Sequence, residues 1–168
     1  HAPMQPRLLA GDAQDSPHHA DLADADDLEG MPVVVADLHS ALPAVLAGIR
    51  SVRPDARVAY VMTDGGALPA AFSRAVAGLT DAGWLASTIT VGQAFGGNHE
   101  AVTTHTGLLA ARHGVGAEVA VVTQGPGNVG TGTRWGYSGV ACADALHAAE
   151  VLGGHSVASV SVMPSGGA

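Results

Sequence analysis

The chain has 168 residues, room for one domain, and 47% of them are hydrophobic while only 4% are aromatic, so its core has to be built from Val, Leu and Ala. The net charge is −8 and there is no lysine, so the basic stripe of a nucleic-acid binder is missing. No apolar run approaches the ~20 residues of a membrane span. No basic segment followed by an apolar one marks a signal peptide, and a lone Cys142 rules out an internal disulfide. A cytoplasmic protein that touches neither membrane nor nucleic acid is the expectation.

Taken in order, residues 1–30 concentrate Asp12, Asp15, Asp21, Asp24, Asp26, Asp27 and Glu29 against Arg7, with Pro3, Pro6 and Pro17. They read as an acidic arm or linker, with His18 and His19 facing solvent. No EF-hand spacing is met. The domain is expected over 31–163, followed by a tail at 164–168.

Val33–Ala36 is a short apolar strand. Ser40 then caps a helix carrying Leu42, Val45, Leu46 and Ile49 on one face, with Pro43 in its first turn and Pro54 beyond its end. Arg57–Met62 is a second strand, and Thr63-Asp64-Gly65-Gly66 turns the chain. A second helix carries Leu68, Phe72, Val76 and Leu79. Leu85–Val91 is a third strand, after which Asn98 caps a helix over about 99–113, with Glu100 in its first turn. Val119–Thr123 is a fourth strand, buried on both faces. Ser138 caps a fourth helix reaching about Leu152, and Ser156–Met163 is a fifth strand.

This order predicts a doubly wound α/β domain, Rossmann-like or flavodoxin-like, with a mainly parallel five-stranded sheet and helices on both faces. Ligands in such sheets bind outside the strands' carboxyl ends. Asp37, His39, Thr63, Asp64, Gln93, Asn98, His99 and Gln124 are expected to share that edge with the glycine-rich loop after the fourth strand.

That loop supplies Gly125, Gly127 and Gly130, the hydroxyls of Thr131 and Thr133, and the charge of Arg134. Glycine lets backbone N–H groups close on a ligand, so the loop is a candidate cradle for a phosphate or another anion. The competing reading is a tightly turned structural loop. Gly125-Pro126-Gly127-Asn128-Val129-Gly130 spells G-x-G-x-x-G. It follows the fourth strand rather than the first, no helix starts inside it, and no acid ends the next strand, so a dinucleotide site is disfavoured. Without lysine a P-loop is excluded.

Gly136-Tyr137-Ser138-Gly139-Val140 lacks the last glycine of a nucleophile elbow. His99-Glu100 has no second His one turn on, so zinc-protease chemistry is absent and no metal ligand is assigned. His39 and His99, with Asp64, are the candidate acid–base groups. Cys142, among alanines, reads as packed core.

The segments MPVVVADLHSALPAVLAGIR, RVAYVMTDGGALP, AFGGNHEAV and GPGNVGTGTRWGYSG resemble the actinobacterial domain-of-unknown-function family 3866 over roughly residues 31–163. The resemblance implies that the chain is the middle part of a longer protein. The family's pattern has Cys before the Leu-His-Ser segment, where this chain has Ala36-Asp37, and often Asp where Asn98 stands. The family brings no activity with it.

Three readings follow: a domain binding a small anionic or phosphorylated ligand through residues 125–134, a hydrolase or transferase using His39 or His99, and a non-catalytic assembly domain. No cofactor is named, and a homo-oligomer stays open.

Overall fold

The computed structural model describes residues 16–66 and 68–162. Six strands form one sheet: β1 (Pro32–Ala36), β2 (Val58–Thr63), β3 (Ser87–Val91), β4 (His99–Ala101), β5 (Val119–Gln124) and β6 (His155–Ser159). Every pairing is parallel and the spatial order is β4-β3-β2-β5-β1-β6. The α/β class is as expected, but the sheet has six strands rather than five. Its order also differs from the flavodoxin and dinucleotide folds, where β1 and β2 are neighbours. Here β5 lies between them.

The helices are α1 (His19–Leu22), α2 (Leu42–Val52), α3 (Arg74–Asp81), α4 (Thr104–Leu109, continued by a π-helical turn over Ala110–Gly114) and α5 (Cys142–Val151). Side chains along each strand alternate between the two faces. Val58, Tyr60, Met62, Val119 and Val121 face α2 and α3, meeting Leu42, Leu46, Val76 and Leu79. Ala59, Val61, Ile89, Ala120 and Val122 face α4 and α5, meeting Leu108, Ala145, Ala148 and Ala149. The central strands read as unbroken apolar runs because both faces are covered.

Several boundaries differ from expectation, each for a local reason. His99–Ala101 is a strand beside β3, not the start of a helix. The connecting segment 92–98 is too short for a helix, and its Asn98 is no cap. Its amide oxygen instead accepts from the backbone N–H and the hydroxyl of Thr88 (both 2.9 Å). Thr103 caps α4, in a reciprocal capping box with Thr106. The expected second helix begins only at Arg74, capped by the Ser73 hydroxyl, which accepts from Val76 N (3.0 Å). Leu68 and Phe72 therefore lie outside it and are exposed. Ser40 caps nothing, since a 3₁₀ turn over His39–Ala41 leads into α2. Ser138 likewise opens a 3₁₀ turn, and its hydroxyl accepts from Val129 N (3.1 Å) rather than from a helix.

Of the expected acidic arm, residues 1–15 lie outside the described residues. Residues 16–30 pack on the α4–α5 face. Leu22 and Leu28 join its core, Leu28 N donates to Leu152 O (2.7 Å), and Glu29 pairs with Arg112. His18 is half-buried, edge-on to the His99 ring at 5.2 Å.

Candidate functional site

After β1 the chain crosses to α2 on one face; after β5 it crosses to α5 on the other. Because β1 and β5 are neighbours, their carboxyl ends form the switch point, the crevice position at which open α/β sheets take their ligands. Three loops converge there, following β1 (Asp37–His39), β2 (Asp64–Gly66) and β5 (Gly125–Asn128).

Gln124 ties them together. Its side chain is buried, and its amide nitrogen donates to Asp37 O (2.8 Å) and to the Asn128 side-chain oxygen. Asp37 O can only accept, which fixes the orientation of the amide. The other end, Oε1, is buried with no partner among the described residues. A Cβ on Gly65 would stand 2.5 Å from that oxygen, and one on Gly66 would stand 2.9 Å from Pro126 O. Glycine at 65 and 66 is what lets the β2 loop press onto the β5 loop. Beside Gln124, a cavity of about 10 Å³, close to one water's worth of space, is lined by Thr63, Ser138 and Cys142. The half-buried Cys142 thiol donates to Ala36 O (3.3 Å), and burial, then Asp37, push its pKa up.

On the α2–α3 side of the crevice lies a hydrogen-bonded chain. His39 Nε2 is 2.6 Å from Ser73 Oγ, and His39 Nδ1 is 2.9 Å from Tyr60 Oη. Tyr60 Oη is 2.8 Å from Thr123 Oγ1, which is 2.7 Å from Gln124 O. Counting hydrogens gives its direction. A carbonyl only accepts, so Thr123 donates to it. Tyr60 must then donate to Thr123, so Tyr60 Oη accepts from His39 Nδ1–H. Neutral His39 presents its Nε2 lone pair to the Ser73 hydroxyl, whose oxygen already accepts from Val76 N. Burial lowers the His39 pKa, partly offset by the Gln124 carbonyl, and so favours this neutral form. Burial pushes the Tyr60 phenol far up. Base, hydroxyl and orienting group thus lie within hydrogen-bond reach of one another, with His39 half-buried and Ser73 almost fully buried.

The other residues singled out from sequence divide. Asp64 sits at the same edge, exposed. His99 does not: it opens β4 on the sheet margin and packs against His18, with burial and the charge of His18 lowering its pKa. It shares no network with His39. Gly125 is buried and its N–H continues the sheet, donating to Thr63 O (2.8 Å). Gly127 is exposed with φ of 92°.

Beyond Asn128 the loop is a small hairpin. Gly130 bridges Tyr137, Thr131 N donates to Gly136 O (2.7 Å), and Ser138 N donates to Val129 O (2.8 Å). Thr131 and Thr133 hydroxyls bond each other (3.0 Å), and Thr133 Oγ1 accepts from Gly136 N (3.1 Å). These two, with Arg134, stand exposed on the hairpin. Among the described residues no cluster of three or more His, Cys, Asp or Glu side chains could hold a metal ion. Nor is any described helix long and apolar enough to cross a membrane.

Tyr60 and Ser73 were not singled out from sequence. Tyr60 sits in an apolar run and reads as core. The available signal was chemical: a Tyr facing inward must find a partner for its hydroxyl.

The fold defines the class: an α/β domain on one all-parallel sheet. The chain belongs to the family described as Protein of unknown function (DUF3866), whose model matches residues 1–164. No curated protein and no solved structure matches it.

Proposed function

We propose that this domain binds a small polar metabolite in the crevice between β1 and β5 and acts on it with His39 as the acid–base group, in a hydrolytic or group-transfer reaction. The observation that carries the reading is the ordered chain Ser73–His39–Tyr60–Thr123, which holds a neutral imidazole beside a hydroxyl at a switch point. The unpartnered Gln124 Oε1 favours a ligand that brings a hydrogen-bond donor. Asp37 and Asp64 make the rim acidic, which supports a neutral or donor-bearing ligand over an anion. The anion reading built on residues 125–134 is less favoured, since Thr131 and Thr133 spend their hydroxyls on the turn.

The test is a thermal-shift screen against metabolites, followed by turnover assays on the hits with wild type, His39→Gln and Ser73→Ala. Hits that stabilise the wild type and are turned over only when His39 is present support the reading. Hits turned over equally by His39→Gln overturn it.

Docking of a partner on the hairpin is a second reading, favoured by Trp135, which is 76% exposed in a chain poor in aromatics. It would make the glycines a device for projecting one indole. Loss of self-association in Trp135→Ala would support it.

A further inference from the structure

A cleft lies at the other end of the sheet. It encloses about 510 Å³ where α2 and α3 end and β2 begins, within the size range of metabolite pockets. We propose that it binds a small molecule through a phosphate or carboxylate group, independently of the crevice at His39.

Three observations point there. The first is charge. The chain's seven permanently cationic side chains are all Arg, and Arg50, Arg53 and Arg57 fall within eight residues of one another. Arg53 is paired with Glu118 (2.5 Å) outside the cleft. The wall itself carries Arg50 and Arg57 against Asp55, a local charge of +1 (two minus one) in a chain of net −8.

The second is preorganisation. Arg50 is held by the carbonyls of Pro54, Gly83 (3.4 Å) and Trp84 (2.9 Å), yet its Nε is buried with no partner among the described residues. The three carbonyls hold the guanidinium in place at the cleft wall, and a fixed cation favours an anionic oxygen set against it. Arg57 is anchored through Nε to Val115 O (2.7 Å) and keeps an exposed side chain at the cleft mouth.

The third is the wall. Trp84 lines the cleft half-buried, packed against the α2–α3 core, and its carbonyl accepts from Arg50, so a change at the Arg50 guanidinium reaches its surroundings.

Trp84 also supplies the readout, because the chain has two Trp residues and the other, Trp135, is on the exposed hairpin. In a Trp135→Phe background, Trp84 emission is followed during titration with phosphate, pyrophosphate or citrate, at constant ionic strength set with chloride. At least one anion is expected to give a saturable change in the micromolar to millimolar range. Phosphate and pyrophosphate on one side and citrate on the other separate the two ligand chemistries. Arg57→Gln should weaken that binding by about tenfold, the loss of one charge-assisted hydrogen bond. Asp55→Asn, which removes the opposing charge and should fold normally, should strengthen it several-fold. His39→Gln should leave it unchanged. A linear or absent response to all three anions, or equal affinity in wild type, Arg57→Gln and Asp55→Asn, overturns the proposal.

Discussion

Replacing Tyr60 by Phe removes one oxygen and keeps the ring that fills the core between β2, α2 and α3. The lost oxygen serves two contacts, accepting from His39 Nδ1–H and donating to Thr123 Oγ1. After the change Thr123 still donates to Gln124 O, so it loses a donor to itself but orphans no proton. The half-buried His39 ring loses the acceptor of its Nδ1–H. Two hydrogen bonds are lost, a cost of about 1–3 kcal/mol. For a domain of this size that corresponds to a fall in Tm of roughly 2–12 °C. The converse change, Thr123→Val, strands the Tyr60 proton in a fully buried site and should cost about 1–3 kcal/mol by that route. The two share one interaction, so the double variant should lose less than the sum of the singles. Urea unfolding of the four proteins gives all three numbers. A cost for Tyr60→Phe below about 0.5 kcal/mol, or strict additivity in the double variant, would refute the chain of hydrogen bonds.

Other perturbations test the packing and the charge states. Gly65→Ala should destabilise by about 1–3 kcal/mol through overpacking against Gln124, whereas Gly48→Ala and Gly78→Ala, helical sites with nothing near the added methyl, should stabilise by roughly 0.5–1 kcal/mol each. Chemical denaturation reads both signs, and a stabilising Gly65→Ala would show that the two loops are not pressed together. Leu28→Ala should cost about 2–5 kcal/mol because the side chain is fully buried; a neutral result would mean that residues 16–30 do not pack on the α4–α5 face. His39 and His99 are both held below their usual 6.5. The unfolded chain therefore binds more protons than the folded one as pH falls below 6.5, and stability should rise with pH through that window and level off above it. Urea midpoints across the range should show this slope, and His39→Gln with His99→Gln should flatten it; a slope of opposite sign contradicts the burial of these rings.

The sheet was legible where its strands are covered on both faces. Val119–Thr123 and Arg57–Met62 are apolar runs rich in β-branched residues, and they found their places in β5 and β2. What the period could not convey was β4, because His99-Glu100-Ala101 is short, polar and at the margin, held by backbone pairing to β3. The same bond-making misdirected the cap assignments. Asn98, Ser40 and Ser138 are good cap residues by type, but Asn98 and Ser138 spend their side-chain oxygens on Thr88 and Val129, while Ser73 and Thr103 do the capping. The strand order was not legible either, since nothing local says that β5 inserts between β1 and β2. Even so, the rim of Asp37, His39, Asp64 and Gln124 follows from a parallel sheet alone, because parallel strands all end at one edge. His99 fell out of that set once it began a strand instead of following one. Glycine density in 125–139 was the most ambiguous signal. In the fold Gly136 and Gly139 sit where an added side chain would strike Thr131 and Tyr137, within the hairpin.

The imidazole of His39 carries the central claim, and its ring nitrogens can be observed directly. In a ¹⁵N-resolved proton correlation spectrum near neutral pH, the account predicts a protonated Nδ1 and an unprotonated Nε2 accepting from Ser73, with the ring charging only below its usual 6.5. An Nε2–H tautomer, or a ring that is already charged at neutral pH, would contradict it.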